Sequence, residues 1–309
     1  MAEVTALAAD YFRVSPRQVL LTAGIDEAVD ITVSQAERGW GVQPGFDGYR
    51  DRVQANGKPF REIPLGADWQ PARGADGLGA GDLVFLAQPG NPTGNLFDPD
   101  WIGEVRDAAE YVLIDETYQD FSSRSSILEQ GLDSSRLLVY RSLSKGMGLA
   151  GIRIGCLVAD PALIARLEPM RRFMPIDAVS LSAAAGALED PGYVKRLAAY
   201  VVEARGELLA LLRVSGLFTE VRESETNFVL ARPRSGQAAL ILGWLAAEGI
   251  RIKACDGLGL PGWFRISVGT RDDHQRLKQS LQRVRPALMA KPQRRPHTKP
   301  DRQGGPRTC

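Results

Sequence analysis

Four short apolar runs, "VLLTA" (19–23), "LVFLA" (83–87), "YVLID" (111–115) and "LLVYR" (137–141), constrain the fold of this chain more than any other feature. None alternates strictly between apolar and polar residues, which is the pattern of strands buried on both faces. Between them, "IDEAVDITVSQAE", "FDGYRDRVQANG" and "DPDWIGEVRDAAE" carry helical periodicity, with Asp98 and Pro99 suited to a cap and a first helical position. This order predicts an α/β domain with a mainly parallel sheet. At 309 residues the chain can hold that domain and a second, smaller one.

The rhythm changes after about residue 190. "PGYVKRLAAYVVEARGELLALLRVSG" predicts one long amphipathic helix, with Val194, Leu197, Val201, Leu208 and Leu212 near one side and Gly216 beyond its end. "NFVLA", a helix over 236–248, "GIRIK", "FRISV" and a last helix over about 271–288 then make an α+β domain. The end, "AKPQRRPHTKPDRQGGPRTC", has almost no apolar residue to offset the entropy of ordering, so 291–309 are expected to be a disordered basic tail.

Several function classes fall away on composition. Lys plus Arg number 38 against 37 Asp plus Glu, so no global field favours nucleic acid or a membrane, and a small molecule is the expected partner. Cys156, Cys255 and Cys309 are too far apart for a disulfide framework or a metal knuckle, which fits a reducing cytoplasm. The two histidines, His274 and His297, leave no histidine-rich zinc site and no obvious Ser-His-Asp triad. There is no apolar run of 18 residues, and "MAEVTALAAD" lacks the basic flank and apolar block of a secretory signal. "GLGAG" (77–81) precedes a strand and opens no helix, so it is not a dinucleotide turn.

Five stretches carry groups suited to chemistry. In "YRSLSKGMGLAGIRIG" (140–155), Lys145 sits among small residues, a setting that desolvates an amine and suits it to attack a carbonyl. "YVLIDETYQDF" ends a strand in Asp115, at the end of an α/β sheet where ligand crevices form, with Tyr118 three residues on. "QPGNPTGNLF" offers the Asn91 amide on a rigid turn after another strand. In "VLLTAGIDEAVD", Gly24 leads into a helix whose free amides suit a phosphate, while Asp26 and Glu27 complement the helix dipole. Arg265 in "WFRISVGT" requires a partner, either a ligand anion or an internal ion pair.

Taken in order, "GIDEA", "PGFDGY", "NPTG", "DETY", "SLSKGMGLAGIRIG" and "FRISVGT" closely resemble the fold-type-I, pyridoxal-phosphate-dependent aminotransferases, specifically the histidinol-phosphate aminotransferase group. The likeness runs from about residue 11 to 288. It implies a sheet of the seven-stranded type, a homodimer, an amino donor and a 2-oxo acid acceptor, and a place in histidine biosynthesis. Lys145 would bond covalently to pyridoxal 5′-phosphate and move the substrate proton. Asp115 would pair with the pyridine nitrogen, Tyr118 and Asn91 with the phenolic oxygen, and Phe46 would stack on the ring. Gly24 would let the chain approach closely, so that the amides of Ile25 and Asp26, with Ser142, Ser144 and Arg153, hold the phosphate while the Asp26 side chain turns away. Arg265, and Asn91 beside it, would bind substrate. Lys253 stands where related enzymes often have an arginine for a substrate phosphate.

The resemblance divides the chain into an arm remnant (1–14), a large cofactor domain (15–190), a small domain (191–290) and the tail (291–309). Family members carry an arm tyrosine that reaches the neighbouring subunit's cofactor, and its place falls before Met1. The segment from Asp30 to Phe46 is several residues shorter than usual, compressing a helix and a strand. The competing readings are a decarboxylase resembling threonine-phosphate decarboxylase, whose "PGF" and following tyrosine are similar to residues 44–49, and a non-catalytic homologue with a binding role.

Overall fold

The computed structural model describes residues 1–132 and 135–289. The expected tail, with His297 and Cys309, lies outside the described residues. In chain order, the first part comprises α1 (Ala2–Phe12), β1 (Val19–Thr22), α2 (Gly24–Val33), β2 (Arg38–Gln43), α3 (Asp47–Ala55), β3 (Phe60–Pro64), β4 (Asp82–Ala87), α4 (Pro99–Ala108), β5 (Tyr111–Asp115), β6 (Leu137–Ser142), β7 (Gly155–Ala159), α5 (Pro161–Leu167) and α6 (Ala178–Leu188). The second comprises α7 (Pro191–Ser215), β8 (Phe218–Val221), β9 (Phe228–Pro233), α8 (Ala238–Ala247), β10 (Lys253–Ala254), β11 (Phe264–Ser267) and α9 (Arg271–Met289).

The first seven strands form one sheet in the order β1-β7-β6-β5-β4-β2-β3, parallel from β3 to β6, with β7 antiparallel to both β6 and β1. Both faces are covered, as the unbroken apolar runs require. Phe85, Leu113 and Leu138 point to the side of α2, α3 and α5, whereas Val84, Val112, Ile114 and Val139 meet Trp101, Ile102 and Val105 of α4. Each fully buried side chain of this size contributes about 1.5–3 kcal/mol. Asp98 caps α4 through its Oδ1 to the Asp100 amide at 2.9 Å, with Pro99 following as expected.

The 30–46 segment holds the last turn of α2, which ends at Val33, and the whole of β2. α1 packs Val4, Ala8 and Ala9 against β1, β7 and α6. The long helix α7 ends at Gly216, whose φ of 69° is a left-handed conformation natural to glycine. The second sheet, β10-β11-β9-β8, is antiparallel throughout and carries α7, α8 and α9 on one face. Of "GIRIK" only Lys253 is in a strand. No helix among the described residues is long and apolar enough to cross a membrane.

Topology decides where the site lies. Parallel strands bring the carboxyl ends of β2, β4, β5 and β6 to one edge of the sheet. The two reversals at β7 bring the carboxyl end of β1 to the same edge. The turns after these strands therefore converge, as ligand-binding loops do in open α/β sheets.

Candidate active site

Asp115 ends β5 at the middle of that edge and is buried. Its Oδ2 accepts from the Tyr49 hydroxyl at 2.6 Å, and its Oδ1 from the Thr117 hydroxyl at 2.5 Å and amide at 2.9 Å. Burial raises its pKa, and the Thr117 and Tyr49 hydrogen bonds only partly offset this. A carboxylate so placed favours a cation beside it. Tyr49 had no role in the sequence reading beyond its place in "PGFDGY", and Thr117 had none. The first lies 66 residues from Asp115, a distance at which no local spacing signals a contact.

Lys145 follows β6, and its ammonium group lies 5.7 Å from the centre of the Tyr118 ring. Burial lowers its pKa, helped by the charges of Arg265 and Arg153, so the neutral amine is favoured more than at a free surface. Tyr118 is itself buried, and desolvation pushes its hydroxyl up to about 12 despite the nearby Arg265. It therefore stays a hydrogen-bond donor at neutral pH. Its ring meets Phe228 of β9 edge-on at 5.3 Å.

At the β1 end of the edge, Gly24 opens α2 with φ 81°, and Arg153 lies across it. A Cβ at Gly24 would stand 2.7 Å from Arg153 Nη2, and the left-handed φ itself favours glycine there. No side chain caps α2, and the Ile25 and Asp26 amides belong to the first turn, where no helical acceptor exists. Glu27 is buried and turns back, Oε2 accepting from the Ala23 amide at 2.7 Å and Oε1 from the Arg172 amide at 3.3 Å. Its charge thus braces the turn, a role beyond the dipole complement read from the sequence. Asp26 is not wholly turned away: its Oδ2 lies 3.9 Å from Arg153 Nη2. The Ser142 hydroxyl accepts from the Ser144 amide at 3.1 Å.

At the other end, Phe46 precedes α3, half-buried, with its ring edge-on to Tyr49 at 5.1 Å; Tyr49 in turn stacks on Phe85. Arg265 of β11 reaches from the second sheet, its Nη1 donating to Asn91 Oδ1 at 2.7 Å, and its guanidinium lies 4.9 Å from the Phe228 ring centre. Its partner is thus a neutral amide and an aromatic face, and among the described residues no carboxylate pairs with it. Lys253 is exposed and sits directly opposite Arg265 in the β10–β11 register, which puts both cations on one face of the sheet.

These groups fit pyridoxal 5′-phosphate by the chemistry of the donor set. An uncapped helix start under a guanidinium matches a phosphate. A buried carboxylate matches a protonated ring nitrogen, and a depressed lysine matches an aldehyde carbon. Among the described residues, no group of three or more His, Cys, Asp or Glu side chains could hold a metal ion.

Comparison with known proteins agrees. The aminotransferase class I and II family description matches residues 1–281. Histidinol-phosphate aminotransferase 2 of Archaeoglobus fulgidus is 35% identical over 203 residues, which are 65% of this chain and 58% of that relative. Histidinol-phosphate aminotransferase of Shigella dysenteriae is 30% identical over 286 residues, 88% of this chain and 80% of the relative. The solved histidinol-phosphate aminotransferase of Clostridium acetobutylicum shares the fold at a TM-score of 0.84 and 20% identity, over 93% of this chain and 89% of the other. A family match along almost the whole described chain, and a relative aligned over most of it, make this protein a member of the class I and II aminotransferases.

Proposed function

We propose that the protein transfers an amino group between a phosphorylated amino alcohol of the histidinol-phosphate kind and 2-oxoglutarate. The observation that carries this reading is the pairing of Arg265 and Lys253 across β10 and β11, with Arg265 bonded to Asn91 on the cofactor side. Two cations on one face suit substrates with a carboxylate or phosphate some distance from the amine. The 30–35% identity to histidinol-phosphate aminotransferases supports the same choice.

In this reading each side chain has one task. Lys145 would hold the cofactor at rest and, once the substrate amine has taken its place, would move the proton to and from the substrate Cα. Pyridoxal phosphate, when bound, supplies an electron sink for the pair released from the Cα–H bond. Asp115 keeps a proton on the ring nitrogen, and Tyr49 and Thr117 hold that carboxylate in line. Tyr118 and Asn91 donate to the phenolic oxygen, and Phe46 covers the ring. The Ile25 and Asp26 amides, Ser142, Ser144 and Arg153 hold the phosphate over Gly24. Arg265 orients the carboxylate of the acceptor, and Lys253 the phosphate of the donor.

The domain boundary in this proposal falls at the start of α7, with the large domain before it and the small one after. The protein acts as a homodimer, an arrangement supported by the exposed apolar side chains Met170, Phe173, Met174 and Val179 close together in sequence. Sedimentation at a single mass of one chain would contradict it.

The test of function is a half-reaction. Histidinol phosphate without acceptor should convert the visible band of the lysine-bound cofactor to the near-ultraviolet band of its amine form, and 2-oxoglutarate should restore it. Carbon dioxide release from an amino acid phosphate would replace this reading with the decarboxylase. Cofactor binding without turnover of any amine would favour the non-catalytic homologue.

A further inference from the structure

Two buried charged side chains, Arg141 and Glu116, and a half-buried one, Asp120, lie beneath the Lys145 turn, and the transfer chemistry uses none of them. Arg141, on β6 four residues before Lys145, donates from Nη1 to Glu116 Oε2 at 3.2 Å and from Nη2 to Asp120 Oδ1 at 2.8 Å. Glu116 directly follows Asp115 and also accepts from the Ser126 hydroxyl at 2.5 Å and the Ile127 amide at 2.7 Å. Asp120 comes two residues after Tyr118. Phe12 of α1 lies against the guanidinium, 5.0 Å from its ring centre. Burial raises the pKa of both carboxyl groups, and Arg141 pulls each back down.

A buried ion cluster is a weak source of net stability, because desolvation offsets the attraction. Its fixed geometry is another matter. The planar fork of Arg141 joins the segment that carries Asp115 and Tyr118 to the strand that leads into Lys145. The neighbour of Lys145 also rests on the cluster: a Cβ at Gly146 would stand 2.0 Å from Asp120 Oδ2 and 2.6 Å from its Cγ. Only a residue without a side chain lets the Lys145 backbone lie so close to Asp120.

We propose that Arg141, clamped between Glu116 and Asp120 with Gly146 seated on Asp120, is a positioning residue that sets where the Lys145 amine stands relative to Asp115 and Tyr118. The inference rests on the reading that Lys145 takes the cofactor. Arg141 touches neither substrate nor cofactor and acts through the Lys145 turn.

The experiment compares wild type, Arg141→Met, Arg141→Lys and Gly146→Ala. Two readouts report Lys145 directly: the pH titration of the visible band in the loaded enzyme, and reductive methylation of Lys145 by formaldehyde and borohydride in the cofactor-free protein, followed by peptide mass spectrometry. In Arg141→Met the titration midpoint should move by about one pH unit or more. Its methylation rate should change by about threefold or more, and kcat should fall by about tenfold or more with KM for the amino donor little changed. Arg141→Lys, which keeps the charge and loses the fork, should fall between. A variant that melts earlier yet keeps the wild-type midpoint, methylation rate and kcat would show a purely structural role and overturn the proposal. If Arg141→Met does not fold, Gly146→Ala decides the matter, since it disturbs the same contact without stranding a charge; wild-type behaviour there overturns the proposal equally. Failure of the functional reading looks different. A wild-type protein whose visible band does not depend on Lys145 would sink that reading, and methylation of the cofactor-free protein would still test the role of Arg141.

Discussion

The two sides of the site are built differently. Around Asp115, at the end of β5, three donors from two segments hold one carboxylate, and Asp115 and Tyr49 are both buried. On the second sheet, Arg265 is held by one hydrogen bond and an aromatic face, and Lys253 stands exposed on a two-residue strand. In the proposed reading, the tightly held side is where the chemistry is the same for every amine. The looser side would be where substrates differ, so specificity could change there without disturbing the electron sink.

Breaking the rigid side should have the largest effects. Lys145→Ala should abolish the visible band and lower kcat by about a thousandfold or more, read by stopped-flow absorbance. Asp115→Asn should cost about a hundredfold in kcat while leaving the fold intact. It should also stabilise the cofactor-free protein at neutral pH. Because burial raises the Asp115 pKa, the native state disfavours its charge, and stability is lost as pH rises from the unfolded to the folded pKa. Thermal melts should therefore show a gain for Asp115→Asn that is present above that window and vanishes below it.

The substrate side should respond through binding. Arg265→Ala should raise KM for the 2-oxo acid acceptor, lowering its kcat/KM by about ten- to a hundredfold, with the cofactor spectrum unchanged. The mildest change, Lys253→Ala, should raise KM by less than about tenfold, and only for a phosphorylated donor, because an exposed charge is well screened. An equal loss with an unphosphorylated amine would remove Lys253 from phosphate recognition. If Arg265→Ala instead shifted the titration of the visible band as strongly as Asp115→Asn, the contrast between the two sides would collapse.

Legibility in the sequence follows the same division. Strands buried on both faces announce themselves as apolar runs, and the α4 cap and the Gly216 stop are local signals, so β1, β4, β5, β6, α4 and α7 were readable. β2 was not, because "RGWGVQ" carries two glycines that a propensity reading penalises. The structure explains them: a Cβ at Gly39 would stand 2.7 Å from Val53 Cγ2, and one at Gly41 would stand 2.7 Å from Phe60 Cζ. β3, "FREIP", is largely exposed at an outer position of the sheet and lacks an apolar run. At the site, residues on strand ends could be placed by motif, whereas Tyr49 on Asp115, Arg265 on Asn91, and the Asp120 carboxylate under Gly146 are meetings between distant segments. Helical or strand periodicity carries no information about such meetings.

The place of β7 in the sheet has a consequence for how the protein is made. β1 has β7 as its hydrogen-bonded neighbour, and β7 is the last strand of that sheet to be synthesised. The apolar segment Val19–Thr22 must therefore wait, through the synthesis of well over a hundred residues, for the strand that will shelter it. Until the β6–β7 segment has left the ribosome, the turn at Gly24 lacks the Arg153 side chain beside it. The nascent chain thus has a long interval with an unpartnered apolar strand, the condition under which chains depend on chaperones.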